Sequence, residues 1–241
     1  MSNVNYPSLR PPIMTTCAIL QSNYIPWKGY FELIEKSDIF VFHDDLQYTK
    51  RDWRNRNRIL TPSGPVWLSI PVGSSEKRTI DQVLLPSDSS WRNEHVSKIR
   101  QYYSRTEFFQ VLETLLFPII TDSQITNLSS LNRKIIMKIC EYLEIGADFV
   151  DVRDLGVSGD RVEKLIQICT KLGSDKYLSG PAAKSYINDE FDSTEITIEW
   201  MEYGPYPEYN QFTAEFYNEV SIIDLIANTG PEASQYFSRK I

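Results

Sequence analysis

The run Asp38-Ile-Phe-Val-Phe-His43 limits the possible folds of this chain more than any other segment. An unbroken apolar run bounded by polar residues reads as a strand buried on both faces, as in a parallel sheet covered by helices. Thr16-Cys-Ala-Ile-Leu20 reads the same way. Between the two lies Gly29–Lys36, a helix with Phe31, Leu33 and Ile34 turned inward. Strand, helix, strand at this spacing is the opening of an α/β domain. Further strands are expected at Asp148–Val152, Lys176–Leu178 and Glu195–Trp200. Arg58-Ile-Leu-Thr and Val66–Pro71 flank Pro62-Ser-Gly64-Pro65 as a hairpin.

Helices fill the intervals. Residues 91–120 read as mainly helical, interrupted near Pro118. Leu131, Ile135, Ile136, Ile139 and Leu143 recur at helical spacing in Ser130–Leu143. Ser158 reads as the N-cap of a helix running to Leu172 and ended by Gly173. Pro181 suits the first position of another helix, and a last helix begins near Ser221. The expected fold is α/β and Rossmann-like, a mostly parallel sheet with flanking helices and a helical insertion at about 91–145. Residues 15–241 form one domain, and residues 1–14 a disordered leader.

The formal net charge of -7 disfavours a general nucleic-acid binder, which needs a broadly basic face. Cys17, Cys140 and Cys169 are widely spaced and apolar in setting, so they read as buried free thiols rather than a disulfide framework or zinc site. No apolar run reaches the roughly 18 residues that span a bilayer, and no signal peptide is visible. A cytoplasmic protein without membrane contact is expected.

Two polar, aromatic segments follow the first two strands: Gln21-Ser-Asn-Tyr-Ile-Pro-Trp27, and Asp44-Asp45-Leu-Gln47-Tyr-Thr-Lys50-Arg51-Asp-Trp53-Arg54-Asn55-Arg56-Asn57-Arg58. In open α/β sheets ligands bind beyond the carboxyl ends of the strands. Asp154–Ser158 and Ser179–Gly180 also follow strands, so all four segments point to one site. The guanidinium forks of Arg51, Arg54 and Arg56, with Lys50, suit phosphate. Tyr24, Trp27 and Trp53 offer stacking faces, and Gln21, Asn23, Gln47 and Asn55 offer amides. Ser179 and Gly180 precede a helix N-terminus, a natural anion seat, and Ser158-Gly-Asp-Arg161 has the same character. The plain alternatives are a solvated charge run, packed turn aromatics and ordinary caps. Tyr203-Gly-Pro-Tyr-Pro-Glu-Tyr209 reads as a ring-rich lid or a surface loop. No glycine-rich dinucleotide or P-loop motif follows the first strand.

Asp44, Asp45, His43 and His95 are the candidates for proton transfer. Neighbouring carboxylates on a strand point to opposite faces, so Asp44 and Asp45 are not expected to share a proton. One of them pairing with a nearby arginine is the structural alternative. No acidic cluster calls for a metal, and the sequence names no cofactor.

The chain resembles the WbqC-like protein family of bacteria. The matching residues are Gln21-x-Asn23-Tyr24-x-Pro26-Trp27-x-Gly29-Tyr30-Phe31 and Phe40-Val-Phe-x-Asp44-Asp45-x-Gln47-Tyr48-x-Lys50-Arg51-x-Trp53-x-Asn55-Arg56-Asn57. Trp67-Leu-x-Ile-Pro71, Trp91 with His95, Tyr177-Leu-Ser179-Gly180 and Ser221-Ile-Ile-Asp224 continue the match. The resemblance implies a role in surface-polysaccharide (O-antigen) biosynthesis, with acyl or aminoacyl (glycyl-type) transfer to a nucleotide-linked amino sugar. It also implies aromatic or aliphatic residues at position 43 in relatives, which favours His95 over His43. The donor would be an acyl compound, an aminoacyl-tRNA or an ATP-activated group. The alternatives are an ATP-dependent adenylating or ligating enzyme, and a non-catalytic nucleotide-sugar-binding protein.

Overall fold

A computed structural model describes residues 14–73 and 77–237. The expected leader lies outside the described residues except for Met14. Strands β1 (Thr16–Leu20) and β2 (Ile39–Phe42) pair in parallel, from Cys17 against Ile39 to Leu20 against Phe42. Helix α1 (Lys28–Glu35) makes the crossover between them. Strands β3 (Arg56–Thr61) and β4 (Gly64–Ser69) form a separate antiparallel hairpin. Helices α2 (Ser90–Tyr103), α3 (Phe109–Leu115), α4 (Phe117–Thr121) and α5 (Leu128–Tyr142) follow, with Pro118 in the first turn of α4. Then come β5 (Asp148–Asp151), α6 (Arg161–Lys171), β6 (Lys176–Ser179), β7 (Thr197–Trp200) and α7 (Ile222–Thr229).

The five-stranded sheet has the order β5-β2-β1-β6-β7, and every pair is parallel. The chain steps outward from β1 to β2 to β5, then returns to lay β6 and β7 on the other side of β1. This is a Rossmann-like α/β fold, and its direction reverses between β1 and β6.

The unbroken apolar runs have a direct physical reason. Successive strand residues point to opposite faces, and both faces are covered. Ala18, Phe40, Phe42 and Leu178 pack on one side with α1, α5 and α7. Cys17, Ile19, Val41 and Tyr177 pack on the other with Leu165, Ile168 and Cys169 of α6. Full burial of a ring such as Phe40 contributes roughly 1.5–3 kcal/mol. The three cysteines are free and buried.

Two expected helix starts are corrected. Helix α6 is capped by Asp160, whose side chain accepts hydrogen bonds from the N–H groups of Val162 and Glu163. Ser158 lies outside the helix and its N–H donates to Gln167. After Gly180 there is only a short 3-10 turn, Pro181–Ser185, in place of an α-helix. So short a turn carries little of the helix dipole that an anion seat relies on.

Candidate functional site

The loops leaving β1 and β2 are tied together at several points. Buried Asp44 accepts the Ser22 N–H at 2.7 Å and a hydrogen bond from the Ser129 hydroxyl. Tyr24 N–H donates to the Trp53 carbonyl at 2.9 Å. From the hairpin, Asn57 donates its amide to the carbonyls of Tyr24 and Ile25 at 3.1 and 2.9 Å. Strand alternation explains this: Arg56 and Arg58 face outward and Asn57 inward. Ser221, the cap of α7, donates its hydroxyl to the Ile25 carbonyl at 2.7 Å. The first loop is therefore held from three directions.

Arg54 is fixed by both amides of that loop. Its Nη2 donates to Gln21 Oε1 at 2.9 Å and its Nη1 to Asn23 Oδ1 at 3.1 Å. Together with His43, Ser179, Gly180 and Arg161, Gln21 and Arg54 line a cavity of about 340 Å³. Tyr177, Tyr186 and Tyr203 supply its ring surfaces. The cavity opens at the carboxyl ends of β1, β2 and β6, where the winding direction reverses. The Arg161 guanidinium lies 3.3 Å from the Tyr186 ring centroid.

His43 is part of the lining of this cavity. Its Nε2 is 3.2 Å from Asp45 Oδ1, within ion-pair distance but not aligned as a hydrogen bond. The other oxygen of Asp45 accepts from Lys164 Nζ at 2.6 Å. Burial pushes the imidazole down to about 4, with Lys164 and Arg161 acting in the same direction and Asp45 opposing them. His43 is thus neutral near pH 7 and able to accept a proton. Asp44 and Asp45 do point apart, and neither meets the arginines of residues 51–58: Asp44 holds loops and Asp45 meets Lys164.

A family model, the WbqC-like protein family, matches residues 21–236, which take in both tied loops and every strand of the sheet except β1. The chain belongs to the WbqC-like protein family. It is also similar to the uncharacterized protein Rv1507c of Mycobacterium tuberculosis, 40% identical over 226 residues, spanning 92% of this chain and 97% of that protein. No solved structure gives a significant match. Membership in the WbqC-like family points to a role connected with polysaccharide biosynthesis.

The other sequence-derived residues of this WbqC-like protein are spread over several places. Asn23, Trp27 and Trp53 line a second cavity of about 250 Å³ beside the first. The Trp27 indole packs against Tyr203 and Tyr206 at ring-centroid distances of 5.3 and 5.9 Å. It also closes on Gly29, where a Cβ would come within 2.4 Å of the ring. Arg51 and Arg56 are on the outer face of the hairpin with Trp67. Lys50 is exposed in the turn before them, and Gln47 is exposed where its backbone bridges to Thr79.

Tyr24, His95 and Asn55 are inside the protein instead. The Tyr24 hydroxyl and His95 Nδ1 are 2.8 Å apart, and His95 Nε2 is 3.3 Å from the Ser69 carbonyl. Trp91 packs edge-on against the His95 ring at 5.3 Å. Burial pushes His95 down to about 4, and it lines none of these cavities. Asn55 donates to the Ile70 carbonyl at 2.9 Å. Buried amides and imidazoles with backbone partners of this kind hold loops in place.

Sequence reasoning did not single out Tyr186 or Lys164 for this site. They come from α6 and its surroundings, far along the chain, and only the fold brings them to β2. Arg161 did sit in a segment read as an anion seat, Tyr203 in one read as a ring-rich lid or surface loop, and Tyr177 in a run that carries the family resemblance. Among the described residues, no group of three or more His, Cys, Asp or Glu is placed to hold a metal ion, and no helix is long and apolar enough to cross a membrane.

Proposed function

We propose that this protein is an enzyme of surface-polysaccharide biosynthesis that binds a nucleotide-linked amino sugar in the switch-point cavity and transfers an acyl or aminoacyl group to its amine. One observation carries the reading: Arg54 and Arg161 face the same cavity as neutral His43, at the reversal of the sheet. That position is the general ligand site of open α/β sheets. Paired guanidinia match a diphosphate. The cavity volume is within the range of about 300–1,000 Å³ usual for small-molecule sites. Tyr177, Tyr186 and Tyr203 give ring surface for a base or sugar.

In the transfer step the sugar amine attacks the acyl carbonyl. A C–N bond forms, and the bond from that carbon to the donor's leaving group breaks. The proton shed by nitrogen passes to His43 and from it to the departing group. Asp45, steadied by Lys164, faces the imidazolium that forms. General-base help of this kind is worth about 10²–10⁴-fold in rate.

The test is incubation of the protein with UDP- and dTDP-linked amino sugars and a panel of acyl and aminoacyl donors, read by mass spectrometry. The reading predicts a sugar nucleotide heavier by one acyl group. No mass change with any donor counts against transfer. ATP-dependent release of pyrophosphate would move the protein to the ligase class.

A further inference from the structure

We propose that the outer face of the β3–β4 hairpin is a second nucleotide site, which takes the phosphorylated nucleoside end of the acyl donor. The inference rests on the transferase reading above and adds the class of the second substrate. Its basis is a pair of open indoles among guanidinia. Trp53 and Trp67 are 40% and 41% exposed. Their ring centroids are 5.4 Å apart and their planes are inclined at 42°. They and Arg51, Asp52, Arg56 and Arg58 line a cavity of about 300 Å³.

The cations are set for an anion. The Arg56 guanidinium lies 4.0 Å from the Trp67 ring centroid and that of Arg58 lies 5.8 Å from it. A guanidinium resting on an indole can still donate to a phosphate from its terminal N–H groups, while the Nε groups of Arg56 and Arg58 are buried without a partner. Arg58 is in an ion pair with Glu219 at 3.0 Å. Asp52, the carboxylate of this face, accepts the Trp53 N–H at 2.7 Å and is 3.6 Å from Arg54. Among the described residues Arg51 and Arg56 are in no ion pair. In a chain of net charge -7 this is a local concentration of free positive charge beside stacking surface. Aromatic faces for a base, with cations for its phosphates, are the working parts of nucleotide-binding surfaces.

The three cavities are linked through neighbouring residues. Trp53 belongs to the lining of both this cavity and the one beside it. Asn23, in the lining of that middle cavity, accepts from Arg54, which lines the switch-point cavity. Two donors share this chemistry, a coenzyme A thioester and an aminoacyl-tRNA, since both carry a phosphorylated adenosine. In a coenzyme A thioester the adenosine would rest on Trp67 and the pantetheine arm carry the acyl group past Trp53 toward the sugar amine. In an aminoacyl-tRNA, whose ester is on the terminal ribose itself, the preceding cytidine would rest on Trp67 and the terminal adenosine lie past Trp53. In either case the C–N bond forms as the thioester C–S bond or the aminoacyl ester C–O bond breaks.

Titration calorimetry tests this with coenzyme A and, separately, with a 5′-phosphorylated cytidine-cytidine-adenosine trinucleotide. Each is titrated into the wild type, Trp67→Ala and Arg56→Gln. One probe should bind the wild type and lose about tenfold in affinity in each variant, and the probe that binds names the donor. A UDP-linked amino sugar should bind all three proteins equally. Failure of both probes to bind the wild type, or unchanged probe affinity in both variants, overturns the proposal. Weakened sugar-nucleotide binding in Trp67→Ala also overturns it, because the face would then belong to the first site. A probe that depends on Trp67, with no sugar-nucleotide binding to the wild type, overturns the function proposed above and leaves this site standing.

Discussion

Arg54 donates from Nη2 to the side-chain oxygen of Gln21 across 2.9 Å, joining residues 33 positions apart. With the bond from Nη1 to Asn23, the two amides of the first loop orient one guanidinium toward the switch-point cavity. Orientation matters because a fork already held in place loses less freedom when a phosphate binds.

Removing that support should weaken binding without loosening the fold. Gln21→Ala is expected to lower affinity for a nucleotide-linked sugar by about threefold to tenfold, and Arg54→Lys by more than tenfold, since an ammonium cannot form the fork. Calorimetry measures the affinities and circular dichroism the fold. Unchanged affinity in Arg54→Lys would remove the bidentate role.

His43→Gln should lower kcat by about 10²–10⁴-fold while KM changes little, if the imidazole takes the amine proton. The pH profile carries a sign. In the free protein His43 is pushed down to about 4, so kcat/KM should hold its level down to that region. A bound diphosphate favours the imidazolium, so the acid limb of kcat should lie at higher pH. An acid limb that survives unchanged in His43→Gln would assign it to another group.

Asp44→Ala tests the tie between the loops. It leaves the buried Ser22 N–H and Ser129 hydroxyl without an acceptor. The expected loss is about 3 kcal/mol of unfolding free energy, read from urea denaturation. A loss under about 1 kcal/mol would mean that water or another group replaces the carboxylate.

The strands were legible because each central strand is an unbroken apolar run, and burial on both faces demands that. The fold class followed from their alternation with helices. Local chemistry stopped short at the caps. Ser158 and Asp160 are both good N-cap residues, and only the geometry shows Asp160 receiving two N–H groups. For the candidate site, the tied loops carry their density of amides and guanidinia openly. The sequence favours His95 over His43, because the family resemblance implies aromatic or aliphatic residues at position 43, and nothing local shows which imidazole reaches a cavity. Packing separates them: Tyr24 and Trp91 enclose His95, whereas His43 borders the cavity. Lys164, which positions Asp45, is 119 residues away from it and has no local signature.

His95 provides a pH test of its buried position. Its folded pKa, about 4, is below the ordinary histidine value of 6.5. The unfolded chain therefore takes up the proton first as pH falls. The stability His95 contributes is present above pH 6.5 and is lost as pH falls toward 4. The loss is on the order of 3 kcal/mol. Burial raises Asp44 and Asp224, and these act in the opposite sense. The difference in unfolding free energy between wild type and His95→Gln isolates the histidine. That difference should shrink from pH 7 to pH 4; a constant difference would show that His95 accepts its proton without cost in the native state.

The most direct test of the account is a crystal structure of the protein with a nucleotide-linked amino sugar. The account predicts the diphosphate between Arg54 and Arg161 at the carboxyl ends of β1 and β6, with the sugar amine within proton-transfer reach of His43. A sugar nucleotide seated elsewhere, with the switch-point cavity empty, would contradict it.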